Sequence, residues 1–316
     1  MVYVMSKVLT WIFATFLFFL PLLFPDYWIL ILVEILIMGF FAISFNLLFG
    51  YSGLLSFGHA GLFGVGAFVT ALLIEQGYTS LWLLITAGTI GAGIVSLIIG
   101  FLCVQHDEIY FAMITLAFGM MLFTVAHNWT SLTGGSDGLP LMKIPSLHLL
   151  GNEYSLFLPE VLYYSVLVFT SIAALFLWRL INSPFGLLLK GLRENKNRLR
   201  FAGGNIKLIR LVAFIISGAF SGLAGVLFCW FSSMATPDFL HWSFSAKPVI
   251  MSILGGAGVF LGPLFGAAIF FILEQAIRQF TDNWMIFLGM VLIPIVLFFP
   301  QGVVGSLQEV LKRGKK

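Results

Sequence analysis

The chain has 316 residues, of which 60% are apolar and 9% charged, with 35 phenylalanines and a formal net charge of +3. Charged residues make up about a quarter of an ordinary soluble domain, so this composition excludes one and requires a membrane protein. The apolar stretches are apolar on every face, not on alternate residues, which excludes a transmembrane β-barrel.

A helix needs about 20 mostly apolar residues to cross roughly 30 Å of hydrocarbon. Segments at 8–24, 28–49, 61–76, 80–104, 109–129, 161–181, 211–232, 244–259, 262–280 and 284–300 answer to that. The expected fold class is all-α and polytopic, with about ten transmembrane helices and a range of roughly eight to ten. The range reflects 244–259, which is short and starts beside Lys247 and Pro248, and 50–61, which is Gly-rich. The segment 8–24 follows Lys7 as a signal peptide would, yet Pro21 and Pro25 fall in and after it. No small-residue cleavage site follows, so it reads as a retained span.

The second segment runs into "NLLFGYSGLLSFGHAGLFGVGAF" (46–68), with glycines at 50, 53, 58, 61, 64 and 66. Closely spaced glycines let helices approach each other, and Gly with Ser can break a helix so that its backbone lines a cavity. Broken helices at membrane depth mark substrate routes. The glycines read first as packing positions. His59 and Asn46, polar groups between apolar runs, fit packing and a substrate route equally, and with Ser56 and Gly58 they are pathway candidates. Glu34 and Glu274 join them because a carboxylate within a span is costly. The competing reading is a protonated or internally bonded glutamate that fixes helix packing. Cys103 and Cys229 lie inside apolar runs and read as small hydrophobic side chains, so neither a disulfide nor a metal site is expected.

"TGGSDG" (133–138) reads as a turn within an outer loop over 130–160. Lys190, Arg193, Lys196, Arg198, Arg200, Lys207 and Arg210 fall in the loop 182–210, and Lys312, Arg313, Lys315 and Lys316 in the tail, so eleven of sixteen basic residues occupy two places. The positive-inside rule makes both cytoplasmic. Both termini are then cytoplasmic if 244–259 crosses. The opposite side receives Asp26, Glu75, Asp137, Glu153, Glu160, Asp238 and Asp282, against Lys143 and, less firmly placed, Lys247 and Arg278. No linker or soluble domain interrupts the chain, which reads as a single transmembrane domain over 1–316. A faint internal echo pairs "GLFGVGAF" (61–68) with "PLFGAAIF" (263–270).

Within the basic loop, Ser183 before Pro184 is a helix start and Gly203-Gly204 a stop. Leu192, Leu199 and Ala202 recur on one side and Arg193, Lys196 and Arg200 on the others, which predicts one short amphipathic helix. Setting topology, or lying on anionic lipid, accounts for the charges but not for the apolar side and ordered ends. A docking surface for a cytoplasmic partner accounts for both. Nothing matches G-x-x-x-x-G-K-[ST], so the chain does not cradle ATP itself. No Ser-His pair, H-E-x-x-H or paired aspartates on facing spans appear, so no enzyme activity is expected.

"FNLLFGYSGLLSFGHAGLFGVGAF" (45–68), "ITLAFGMMLFTVAHNW" (114–129), "SLTGGSDGL" (131–139), "GLRENKNRLRFAGGN" (191–205), "SGAFSGLAGVL" (217–227), "LGGAGVFLGPLFGA" (254–267) and "VLFFPQGVVG" (296–305) together resemble the M-type permease subunits of branched-chain amino acid ABC importers. The resemblance covers about 30 to 308. It implies half of a translocation pathway in a bacterial or archaeal cytoplasmic membrane, built as a heterodimer with a homologous second permease. It also implies two cytoplasmic ATPase subunits that bind the ATP, an extracytoplasmic binding protein that delivers cargo, and no cofactor or nucleic acid partner of the chain's own. By the resemblance, 191–205 is the coupling helix to the ATPase, with Leu192, Arg193, Glu194, Asn195, Leu199 and Gly203 as its residues, and Glu194 and Gly203 as the remnant of the family signature. Met120 and Lys247 stand where the family often has acidic residues. Urea, short amides or aromatic acids therefore remain alternative cargoes, and an ion-coupled secondary transporter using Glu34 or Glu274 is the competing function.

Overall fold

The computed structural model describes residue 21 and residues 25–306, except 107, 142–144, 150–151, 282 and 300. Apart from Pro21, the expected span 8–24 lies outside the described residues, as do Lys143, Asp282 and the basic tail with Lys312, Arg313, Lys315 and Lys316.

In chain order the helices with six or more described residues are α1 (Asp26–Ser52), α2 (His59–Glu75), α3 (Leu81–Cys103), α4 (Glu108–Asn128), α5 (Pro159–Ile181), α6 (Pro184–Glu194), α7 (Lys196–Phe201), α8 (Ile206–Ser232), α9 (Trp242–Gly255), α10 (Gly262–Arg278) and α11 (Trp284–Phe298). Each apolar segment from 28–49 onward therefore forms a helix. Five of them, α1, α3, α4, α5 and α8, are long and apolar enough to cross a membrane by length and composition. The other four, α2, α9, α10 and α11, have 14 to 17 residues. At 1.5 Å per residue they reach only about 21–26 Å, short of the hydrocarbon thickness.

The shortness of α2 has a local cause. Gly53 ends α1 in the left-handed region (φ 77°), and its amide bonds back to the Leu48 carbonyl, a helix stop that glycine makes without strain. Helix resumes only at His59, and it does so inside the bundle. A Cβ on Gly58 would lie 2.3 Å from the Thr115 carbonyl oxygen of α4, and His59 meets Ser217 near the middle of α8. Thus α2 starts at depth and runs one way only.

Among its described residues, segment 130–160 carries a short helix, Thr130–Thr133, and paired strands. Three glycines of the expected "TGGSDG" turn, Gly134, Gly135 and Gly138, have positive φ. Two antiparallel ribbons follow: Leu139–Pro140 pairs with Met234–Ala235 just beyond α8, and Ser146–Leu149 pairs with Asn152–Ser155. The first has Leu139 opposite Ala235, the second Ser146 opposite Ser155.

Helices α1 and α8 form the centre: α8 packs on α1, α2 and α3, while α1 also packs on α5, α9 and α10. Hydrocarbon gives apolar helices no reason to associate, so close backbone approach through small residues does the work. A Cβ on Gly66 of α2 would lie 2.1 Å from the Gly222 carbonyl oxygen of α8, and one on Gly222 would lie 2.1 Å from Ala92 Cβ of α3. Likewise a Cβ on Gly225 would come within 1.8 Å of the Phe63 carbonyl oxygen. Gly66→Ala should thus force α2 from α8 and destabilise the detergent-solubilised protein by about 1–3 kcal/mol. Gly289, with open space around it, is the control. Thermal unfolding that shifts equally for Gly66→Ala and Gly289→Ala would refute this packing.

Candidate functional site

The interrupted stretch between α1 and α2 is where four helices meet. His59 is fully buried, with the ring edges of Phe45 and Phe214 at centroid distances of 5.2 and 5.6 Å. Its Nε2 lies 2.8 Å from Ser217 Oγ. Ser217 spends its only hydroxyl hydrogen on the Ser44 carbonyl of α1, at 2.6 Å. It must therefore accept from His59, which assigns the proton of the neutral imidazole to Nε2. Nδ1 is left as a bare acceptor with no partner among the described residues. The Ser44 and Ser221 hydroxyls, 3.0 Å apart, extend this polar seam along the α1–α8 contact.

The amino end of α2 is capped from another helix. The Ala60 amide donates to Ser245 Oγ of α9 at 2.9 Å, and the Gly58 amide donates to Ser56 Oγ at 3.4 Å. Ser56, Gly58 and His59 of the pathway candidates are thereby brought together. Asn46 is apart from them: a Cβ on Gly50 would lie 2.1 Å from Asn46 Oδ1 and from the Ala257 carbonyl oxygen. Its amide thus faces the turn between α9 and α10, with neither polar atom partnered among the described residues.

Glu34 and Glu274 are elsewhere, in a cluster that joins α1, α9 and α10. Glu274 pairs with Arg278 at 2.6 Å, and Lys247 lies within electrostatic reach of both carboxylates. Lys247 Nζ sits 4.7 Å from the Phe244 ring centroid. Lys247 lies on the second turn of α9. For Glu274, with Arg278 at 2.6 Å, the packing role fits better than that of a lone coupling acid.

The basic loop departs from the single helix expected over its length. It forms two helices, α6 and α7, broken at Asn195, whose backbone is extended (φ −161°, ψ 101°). The Asn195 side chain accepts from the amides of Asn197 and Arg198, at 3.0 Å each, which caps α7 and competes with continuation of α6. Leu192 and Leu199 consequently sit on different helices, and Ala202 is exposed. Leu189 and Leu192 are buried. Arg193 Nη1 donates to the Gly50 carbonyl of α1. Glu194, Asn195 and Leu199, with Gly191 and Arg198, line a groove of about 350 Å³ between the two helices. Gly203 (φ 87°) terminates α7 and faces open space. Phe201, the last residue of α7, is 90% exposed.

Sequence reasoning missed Ser217, Ser221 and Ser245, Lys247 as cluster cation, and Phe201. The i, i+4 spacing of Ser217 and Ser221 within an apolar helix was the available signal. Ser217→Ala should strand the His59 Nε2 hydrogen and cost about 1–3 kcal/mol. Ser96→Ala should cost far less, because Ser96 bonds only the Ala92 carbonyl of its own helix. Equal melting midpoints for the two variants would remove the assigned role of Ser217.

The family described as branched-chain amino acid transport system / permease component matches residues 27–296. The chain is 27% identical over 291 residues to the high-affinity branched-chain amino acid transport system permease protein LivM of Escherichia coli (strain K12), covering 85% of this chain and 68% of that one. It is 26% identical over 283 residues to LivH, a permease protein of the same description from the same strain (84% and 90% covered). It is 28% identical over 241 residues to the guanosine ABC transporter permease protein NupQ of Bacillus subtilis (strain 168), with 72% and 73% covered. No solved structure matches. With that match across the described bundle, the chain belongs to the branched-chain amino acid transport system permease family, whose members are multi-pass membrane components of ABC transporters and not enzymes.

Proposed function

We propose that this chain is one half of the translocation pathway of an ATP-driven importer for branched-chain amino acids. The observation that carries the reading is the pair α6–α7: an ordered, basic, grooved element at the bundle end where α1 stops, on a chain without a phosphate-binding loop. The reading supplies the missing energy source as two ATPase subunits, each set against a permease. Glu194, Asn195 and Leu199 in the groove, with the exposed Phe201 at the end of α7, form the docking surface, and Leu192 and Gly203 shape it from within and at its end. Relatives named LivM and LivH are both permease proteins of branched-chain amino acid systems, which supports a heterodimer with a second, homologous permease.

In this reading the α6–α7 end is cytoplasmic, the 130–160 end faces the binding protein, and both termini are cytoplasmic in the inner membrane. Transport is then a switch between packings open to one side or the other, biased by nucleotide at a distant site. The break between α1 and α2 is the place for the gate. There α1, α2, α8 and α9 share a few serine and backbone bonds, and a small shift changes all four. Cargo is chosen by the binding protein, and the guanosine permease among the relatives shows how far the cargo of such a scaffold can change.

The test is reconstitution. The chain alone in liposomes should move no branched-chain amino acid under any ion gradient, and uptake should appear with ATP once the second permease, both ATPases and a loaded binding protein are present. Ion-driven uptake by the isolated chain would defeat the proposal. A nucleoside held by the copurified binding protein would defeat the cargo alone.

A further inference from the structure

Arg193 and Glu194 are neighbours in sequence but face different things. Glu194 lines the groove, whereas Arg193 turns inward to the Gly50 carbonyl of α1. That carbonyl is available for a physical reason. In an uninterrupted helix Gly50 would accept from the Leu54 amide, but the glycine stop at Gly53 sends that amide to the Leu48 carbonyl instead, at 3.2 Å. The last carbonyls of a helix lack intrahelical donors and carry its negative dipole end, so a guanidinium is a fitting partner.

Further contacts join the same two elements. A Cβ on Gly53 would lie 3.3 Å from Arg193 Cγ, so the arginine stem lies along a face that glycine leaves open. One turn earlier on α6, Lys190 Nζ is 5.9 Å from the Tyr51 ring centroid. Leu189 and Leu192 are buried on the same helix, which packs on α1. On its other side Gly50 abuts the Ala257 carbonyl in the α9–α10 turn. Beyond Gly53 the chain leads directly through Ser56 and Gly58 to His59.

We infer that Arg193 is a positioning residue that locks α6 to the end of α1, so that a displacement of α6 reaches the break before α2, and that it does not itself dock the ATPase. The inference rests on the importer reading above and assigns a separate task to one residue within it.

The test uses the complete importer with tagged permease. Arg193→Met keeps the stem against Gly53 and removes the charged donor. It should retain the ATPase subunits at wild-type stoichiometry and the wild-type KM for ATP. Cargo moved per ATP hydrolysed should fall roughly tenfold, the scale of one charge-assisted hydrogen bond. Arg193→Lys, which keeps a cation but not the fork, should recover part of that loss, and Glu194→Ala should instead release the ATPase. Loss of the ATPase from Arg193→Met, or wild-type cargo per ATP in that variant, overturns the inference. If Arg193→Met does not insert, spin labels at Leu187 and Leu55 of an otherwise wild-type importer decide. An interlabel distance that stays the same with and without ATP supports the lock, and one that changes overturns it. A wild-type chain that holds no ATPase at all would be the failure of the importer reading, and the inference falls with it.

Discussion

Hydrocarbon offers nothing to a backbone amide or carbonyl, so wherever this chain leaves helical geometry at membrane depth the protein itself must supply the partners. The break between Gly53 and His59 meets this demand several times over. Leu54 bonds back to Leu48, Arg193 serves Gly50, Ser56 serves Gly58, and Ser245 serves Ala60. Apart from Ser56 of the break itself, these partners come from α1, α6 and α9, and that is why the helices converge where they do. A segment with such obligations cannot face lipid. It sets α1 and α8 at the centre and leaves the outward faces of α3, α4 and α11 to the bilayer, where large apolar side chains such as Ile94, Met113 and Met290 are exposed.

The same constraint explains the residue types in the core. Serines and threonines in the buried helices mostly return their hydroxyl hydrogen to their own helix, as Thr70 does to Gly66 and Ser96 to Ala92. Each is small enough for close approach and satisfied without an external partner. Ser217 and Ser252 break that habit by donating across to the Ser44 and Ala42 carbonyls of α1, while Ser245 accepts from the Ala60 amide at the break. Polar contacts between helices thus run along the face of α1 from Ala42 and Ser44 to the break, with glycine contacts elsewhere.

Much of the helical framework was legible because length and unbroken apolarity are local properties. The start of α5 at Pro159 and the glycine that ends α1 follow the same logic. Asn195 was legible in principle, since its capping partners are two and three residues away, but the amphipathic pattern of Leu192 and Leu199 suggested continuity. The ribbon between Leu139–Pro140 and Met234–Ala235 was not legible: two residues on each side carry no periodicity, and their pairing depends on where α8 ends. The neighbours of Lys247 were not legible for a related reason, because Glu34 and Glu274 lie on two other helices. Of the candidate site, residue identities could be read, but the division of 191–205 into inward and outward residues could not. That division is decided by the end of α1, more than a hundred residues earlier.

The hydrogen bond between His59 and Ser217 joins residues 158 positions apart. At a synthesis rate of about 5–20 residues per second, roughly ten to thirty seconds separate the emergence of the two from the ribosome. Throughout that interval α1 and α2 exist without α8, and the glycine faces and the imidazole that α8 will cover have no protein over them. Helices α1 and α2 are therefore made as a half-finished surface, and the membrane insertion machinery has to shelter them until their central neighbour arrives.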